Sequence, residues 1–571
     1  MKIKHLFGLA VIAAMSASCS SNEDLGTAGP STGTNESGVG YASFSINLPT
    51  TRGTRADNPE FKPGETNEYD VYNATLLVFK KGTTAGEGNY TLAEKVDLGS
   101  MEPWKSPSET GVTTQAKITA KLSNVDKSGD YFALVLLNNG SATDPKVTLP
   151  SEGDTFSEWN VAANANATNF TDTKKGFYMA NAPLWNFSDK SVTTLVAINK
   201  DKIFPTEAQA SSGEAAADIY VERGLAKVTL TAATKDEKTV GGSTYTDDKV
   251  KISNWALDVT NKKTFPIHNV DGLTEDYATI WNNDPTTSGA SNQRFVDNNE
   301  LTKAKRVYWG VDPNYKENAL CDVAGTTARE ENFNYIKKEK LTAKPTDPLY
   351  CLENTFNLEN MKQGQTTRVI FKASYTPKDF TAADGKTFYK VGTSVALWSQ
   401  KKLEDHIKAA VSKVISVTTT DDIKINLTAD GNNITTAGNH VITSANFTVA
   451  GHDVKPEEVK AVNEKVGLTE KAGINTYANG ESYYIARIKH FGDDLTPWNS
   501  GETYNDNLKY LGRYGMLRNN WYELEVNSVS GPGYPDVPEV KPNTPDDEDD
   551  KYINVSVKIL DWAKRSQKVD L

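Results

Sequence analysis

The chain has 571 residues, so at roughly 150 residues per domain it carries two to four domains and a sizeable core. A hydrophobic fraction of 37% with 24% charged residues is too polar for a membrane channel and too apolar for a disordered chain. The net charge of −12 argues against nucleic acid and against anionic lipid, and three cysteines cannot build a disulfide scaffold or an all-thiolate zinc site.

The chain opens with Lys2, Lys4 and His5, followed by an apolar run from Leu6 to Met15. Ten apolar residues are too few to span about 30 Å of hydrocarbon, but they suit the apolar part of a secretory signal. Small residues Ser16, Ala17 and Ser18 then lead into Cys19, as in a bacterial lipobox, where the cysteine becomes the lipidated first residue. Residues 1–18 therefore read as a lipoprotein signal. Residues 19–40, rich in Ser, Gly, Thr and Asn, read as a flexible tether.

Beyond the tether the apolar pattern has period two or comes in short runs, both of which mean strands. The first set is Tyr41–Leu48, Tyr72–Lys80, Gln115–Leu122, Tyr131–Leu137, Thr193–Ile198 and Ile219–Thr231. The second is Lys251–Val259, Arg306–Val311, Thr367–Tyr375, Lys413–Thr418, Asn446–Ala450, Tyr483–Lys489 and Trp521–Val529. Helices are few. Gln400–Val414 puts Leu403, Ile407, Ala410, Val411 and Val414 on one face. Lys455–Val466 has Pro456 and two glutamates in its first turn and Gly467 as a stop. Lys235–Lys249 is polar and holds Gly-Gly, which reads as a linker. The fold class is all-β with few short helices. Two β-sandwich domains are expected in tandem, over 41–234 and 248–530.

Local catalytic chemistry is missing. His268, His406, His440, His452 and His490 show no i, i+4 pairing, there is no phosphate loop, and Gly29–Gly33 fits a nucleophile elbow only inside the tether. Asp430-Gly431-Asn432-Asn433 reads as a turn, since a calcium loop needs further spaced oxygens. No metal or cofactor is expected. Cys321 and Cys351 lie 30 positions apart in an exported chain; a disulfide between them would stabilise by roughly 3–4 kcal/mol, and two separate thiols is the other reading.

Two segments share one pattern. In Tyr41–Leu48, residues Ala42, Phe44, Ile46 and Leu48 occupy one face. In Ile553–Ile559, so do Ile553, Val555, Val557 and Ile559. The first is followed by a polar, turn-rich stretch with Arg52 and Arg55, which a protease of Arg specificity can reach. The second follows residues 531–551, a run of five prolines and clustered acids that should stay extended. Either segment suits the same sheet groove. The plain reading is two edge strands of one monomer; the other is exchange of one strand for the other between subunits.

The lipobox, the arginines after the first strand, Val221–Val228, Tyr350–Thr355, Arg518–Tyr522 and the ending Val557–Trp562 together resemble the fimbrillins of Bacteroidales type V pili, nearest to the minor-fimbrium shaft type. The resemblance implies two transthyretin-like sandwiches and a lipoprotein precursor held at the outer membrane through Cys19. It implies an Arg-specific protease acting at Arg55–Ala56, with Arg52–Gly53 as second choice, to remove the strand 41–48. It also implies polymerisation by the donor strand at 552–571, with copies of itself and with tip and anchor pilins as partners in an extracellular fimbrium. A surface glycan-binding lipoprotein is the alternative, and it would need an exposed aromatic platform.

Overall fold

The computed structural model describes residues 33–47, 61–62, 68, 70–101, 115–126, 128–141, 143–161, 163–164, 170, 176–186, 191–270, 306–307, 309–310, 312–315, 331–356, 360–469, 471–491, 496, 510–540, 544, 546 and 553–562. Cys19, Leu48, Arg52, Gly53, Arg55, Ala56 and Cys321 lie outside these residues.

The first sheet is built from β1 (Gly40–Asn47), β2 (Ala74–Lys80), β3 (Thr91–Gly99), β4 (Gln115–Leu122), β5 (Tyr131–Leu137), β6 (Met179–Asn181) and β7 (Ala217–Arg223). Their order is β3-β2-β5-β6-β7-β1-β4, with Val196–Ala197 also pairing to β5. Alternation decides the faces. In β4, Ala116, Ala120 and Leu122 are buried while Gln115 and Lys121 are exposed. β5 is a continuous apolar run and is buried almost throughout. The two end strands approach each other: the Glu94 carboxylate on β3 accepts from the Ser123 and Asn124 amides just past β4. The sheet thus curls around one core that includes Phe44, Leu76, Leu134 and Ile219.

At Gly224 the chain leaves this sheet. A Cβ there would meet ring carbons of Phe170 and Tyr178 at 3.0 Å, so the corner admits no side chain. The run read as one strand, Ile219–Thr231, is therefore two: β7, and β8 (Leu225–Leu230) in a different sheet. Next come β9 (Lys249–Asp258), β10 (Leu349–Leu352) and β11 (Arg368–Thr376). β12 (Phe388–Val391), α1 (Gln400–Val414), α2 (Pro456–Val466), β13 (Ile474–Tyr477), β14 (Glu481–Arg487), β15 (Asn520–Val529) and β16 (Ile553–Trp562) complete the frame.

A sheet in the order Phe61–Lys62, β16, β15, β8, β10 and another in the order Lys238–Thr239, β9, β11, β14 share a second core. Val228, Tyr522 and Leu524 meet Ile252, Phe371 and Tyr484 in it. The stretch read as a linker, Lys235–Lys249, is folded: Lys238–Thr239 pairs with the start of β9, and Val240 and Tyr245 are buried anchors. A third core forms where α1 and α2 cover β12 and β13. α1 keeps its expected bounds and buries Leu403, Ile407, Ala410 and Val411. The strand read at Lys413–Thr418 is a correction: its first two residues end α1, and Ile415 caps it. Arg306–Val311 forms only a bridge, Leu184 to Arg306, among the described residues. No described helix is long and apolar enough to cross a membrane.

Candidate assembly strands and a buried polar junction

β1 lies inside its sheet, hydrogen-bonded on both edges. It runs antiparallel to β4, with Ser43 opposite Thr119 and Asn47 opposite Gln115, and parallel to β7, with Ile46 opposite Ile219. Ala42, Phe44 and Ile46 are each 0% exposed. Its second face is also covered. The short helix Glu207–Ser212 lies over it, and Ser43 Oγ donates to Ala210 O at 2.5 Å and lies 2.9 Å from Thr119 Oγ1. At the entrance to the strand, a Cβ on Gly40 would meet Ile203 Cγ2 at 2.6 Å.

β16 has a looser seat. It runs antiparallel to β15, with Val555 opposite Val526, Val557 opposite Leu524 and Ile559 opposite Tyr522. On its other side the described pairing is Phe61–Lys62 alongside Asp561 and Trp562. Ile553, Val555 and Val557 are half-buried, and Asn554, Ser556 and Lys558 are exposed. The strand therefore folds back onto its own chain.

The linker before β16 is itself seated. The Gly531 carbonyl accepts from Tyr484 Oη and the Gly533 carbonyl from Tyr477 Oη, both at 2.9 Å. Tyr534 exchanges backbone bonds with Tyr483, and Arg368 Nη2 donates to the Pro538 carbonyl. Asp546, inside the acidic run, is buried and accepts from Thr366 Oγ1 at 2.6 Å, with Arg487 Nε 3.7 Å away. Prolines fix the backbone as extended, but interleaved Tyr534 and Val537 give it apolar anchors on the second core's outer side.

Three of the segments that carry the family resemblance converge where the first and second cores meet. From Val221–Val228 come Glu222, Arg223 and Lys227; from Tyr350–Thr355 come Tyr350 and Glu353; from Arg518–Tyr522 come Arg518, Asn519 and Trp521. His268 stands between two carboxylates, Nδ1 3.3 Å from Glu222 and Nε2 3.1 Å from Glu353. Arg306 closes on Glu222 at 2.7 Å and Arg518 on Glu353 at 2.9 Å. Beside them Lys227 Nζ lies 2.6 Å from Glu68 and 3.8 Å from the Trp521 ring centroid, and Tyr350 Oη donates to Glu68. Burial pushes the Glu222 carboxyl up, but His268, Arg306 and Arg518 outweigh it and hold it below the ordinary carboxylate range. Burial pulls the Arg223 guanidinium down to about 10 against the pull of Glu68, so it remains charged at neutral pH.

Cys351 is a free buried thiol, and burial pushes it up to about 12; Cys321, with which a disulfide is one reading, lies outside the described residues. His406, His440, His452 and His490 each have a hydrogen-bond partner, Val466, Thr436, Glu458 and Tyr522 respectively. Asp430-Gly431 is the two-residue turn of a small hairpin, with Gly431 at φ 82°. Among the described residues no cluster could hold a metal ion. The large apolar side chains left exposed among them are Val161, Val395 and Val441, none of them aromatic.

Residues 475–568 match the family described as major fimbrial subunit protein type IV, fimbrillin, C-terminal. This part of the chain is similar to a fimbrillin C-terminal region. It covers β14, the seated linker, β15 and β16, and two of the motifs read from sequence, Arg518–Tyr522 and Val557–Trp562, lie inside it. No curated protein matches the chain. A solved structure of a candidate cell adhesion protein from Parabacteroides distasonis overlays it with a TM-score of 0.37 at 12% identity, over 92% of this chain and 99% of that one.

Proposed function

We propose that the chain is a structural shaft subunit of a cell-surface fimbria with a role in adhesion. It is exported as a precursor lipidated at Cys19 and cut after Arg55, or after Arg52. It then polymerises when the C-terminal strand of one copy replaces β1 of the next. The fimbrillin C-terminal match supports a pilus role over a glycan-binding lipoprotein. The observation that carries the exchange reading is the burial contrast between two strands of one pattern: β1 encloses Ala42, Phe44 and Ile46 fully, while β16 leaves its aliphatics half-buried. Both arginines also fall between two anchored points, β1 in the first sheet and Phe61–Lys62 in the second. A cut there separates β1 covalently from everything that follows.

The test is assembly after cleavage. Purified precursor treated with an Arg-specific protease should yield a mature N-terminus at Ala56 and a ladder of polymers on size-exclusion chromatography. A chain lacking residues 551–571 should be cut and remain monomeric. Fibres that start at Cys19, or equal ladders from the truncated chain, would remove the basis for this reading.

A further inference from the structure

We infer that the incoming strand takes β1's own direction in the slot, and that the buried site around Ser43 sets this polarity. The inference rests on the strand-exchange reading above. The slot has a closed end, an apolar face and a covered polar face. At the closed end Gly40 touches Ile203, so no residue in phase with the apolar row can seat a side chain there. The apolar row must begin at position 42. Moving the donor two residues toward the closed end puts an isoleucine on position 40 in either direction. Moving it two residues the other way puts Lys551 or Asp561 on position 42, which is 0% exposed. Two layouts remain, one for each direction.

In β1's direction, Ile553, Val555 and Val557 take the places of Ala42, Phe44 and Ile46. Asn554 then takes that of Ser43, Ser556 that of Ser45, and Lys558 that of Asn47. In the reverse direction Lys558 falls on Ser43 and Asn554 on Asn47. Position 43 separates them. Ser43 is 0% exposed and its hydroxyl is held by Ala210 O and Thr119 Oγ1 under the covering helix. The carbonyls that end this helix, Ser211 and Gly213, already accept from the ammonium of Lys117. A second ammonium at position 43 would be buried beside the first, with a four-carbon stem where a hydroxymethyl now sits. A carboxamide there can donate to Ala210 O and meet Thr119 without charge. At position 47, half-buried and opposite exposed Gln115, a lysine keeps its ammonium in water.

Paired cysteines read the direction. Lys558→Cys combined with Gln115→Cys should give an intermolecular disulfide ladder after cleavage, and Lys558→Cys combined with Thr119→Cys should not. Asn554 is exposed in the precursor, so Asn554→Lys should leave precursor melting unchanged and cut polymer yield at least tenfold. A ladder from the Thr119→Cys pair, or undiminished polymer from Asn554→Lys, overturns the assigned direction and leaves exchange standing. Polymers that form with neither cross-link overturn the register. If the parent chain forms no polymer after cleavage, the exchange reading itself fails.

Discussion

β1 and β16 carry the same alternation and end in different environments. β1 has a strand on each side and a helix over its second face, so all three of its described inward side chains are enclosed. β16 has β15 along one side and, among the described residues, only Phe61–Lys62 near its far end along the other. Period-two spacing determines which residues share a face; neighbours determine how much of that face leaves water. The enclosed strand is the one followed by arginines, and the half-buried one is the one that follows the seated linker.

The sharpest test of this contrast is Phe44→Ala in the uncut precursor. A fully buried phenylalanine truncated in a core of this kind should cost about 3–5 kcal/mol. Chemical denaturation of the precursor measures it. The cut, assembled protein lacks residue 44 and should not respond. A loss below about 1 kcal/mol would mean that β1 is not an integral part of the first core.

The junction asks whether the two regions are energetically separate, since β1 belongs to the first core and β16 to the second. Glu222 is held below the ordinary carboxyl value of 4.5 by His268, Arg306 and Arg518 despite its burial. A depressed carboxyl contributes stability above its unfolded pKa and loses it as pH falls through the folded one. Stability against thermal unfolding should therefore fall below about pH 4.5, with the two cores beginning to melt apart. At neutral pH, Glu222→Gln should lower stability by about 3–5 kcal/mol, because it leaves buried cations short of a partner. Its further loss on acidification should be smaller than that of the wild type. Parallel acid profiles would show that this carboxylate does not link the cores.

Much of this frame is legible in sequence where one short range decides it. Gln115–Leu122 and Tyr131–Leu137 keep their expected bounds because their own residues specify both faces. Thr91–Gly99 escapes notice because it lies at the sheet's end and carries Glu94, Lys95 and Asp97 among its apolar residues. Lys413–Thr418 misleads because Val414 there finishes a helix whose apolar face begins at Leu403. The junction is harder still. Glu222, His268, Glu353 and Arg518 are unremarkable locally, and only the topology brings them together; the sole local signal was that three of their segments carried the family resemblance. In the linker, Tyr534 and Asp546 show that a proline- and acid-rich stretch can still be held.

The smallest expected effect measures the burial gained on exchange. Val557 is half-buried in the chain's own sheet. Removing two fully buried methyl groups costs about 1.6 kcal/mol, so Val557→Ala should cost the precursor only about half of that. In the exchanged strand the same residue takes the fully enclosed place of Ile46, and the cost approaches the whole. The difference, about 0.8 kcal/mol per subunit contact, corresponds to roughly a fourfold weaker association. Polymer length after cleavage should shorten accordingly while precursor melting barely moves. Val557→Asp should abolish assembly outright, because a carboxylate would enter a dry site. If Val557→Ala costs the precursor as much as it costs the polymer, β16 is already buried where it lies, and exchange offers it no further burial.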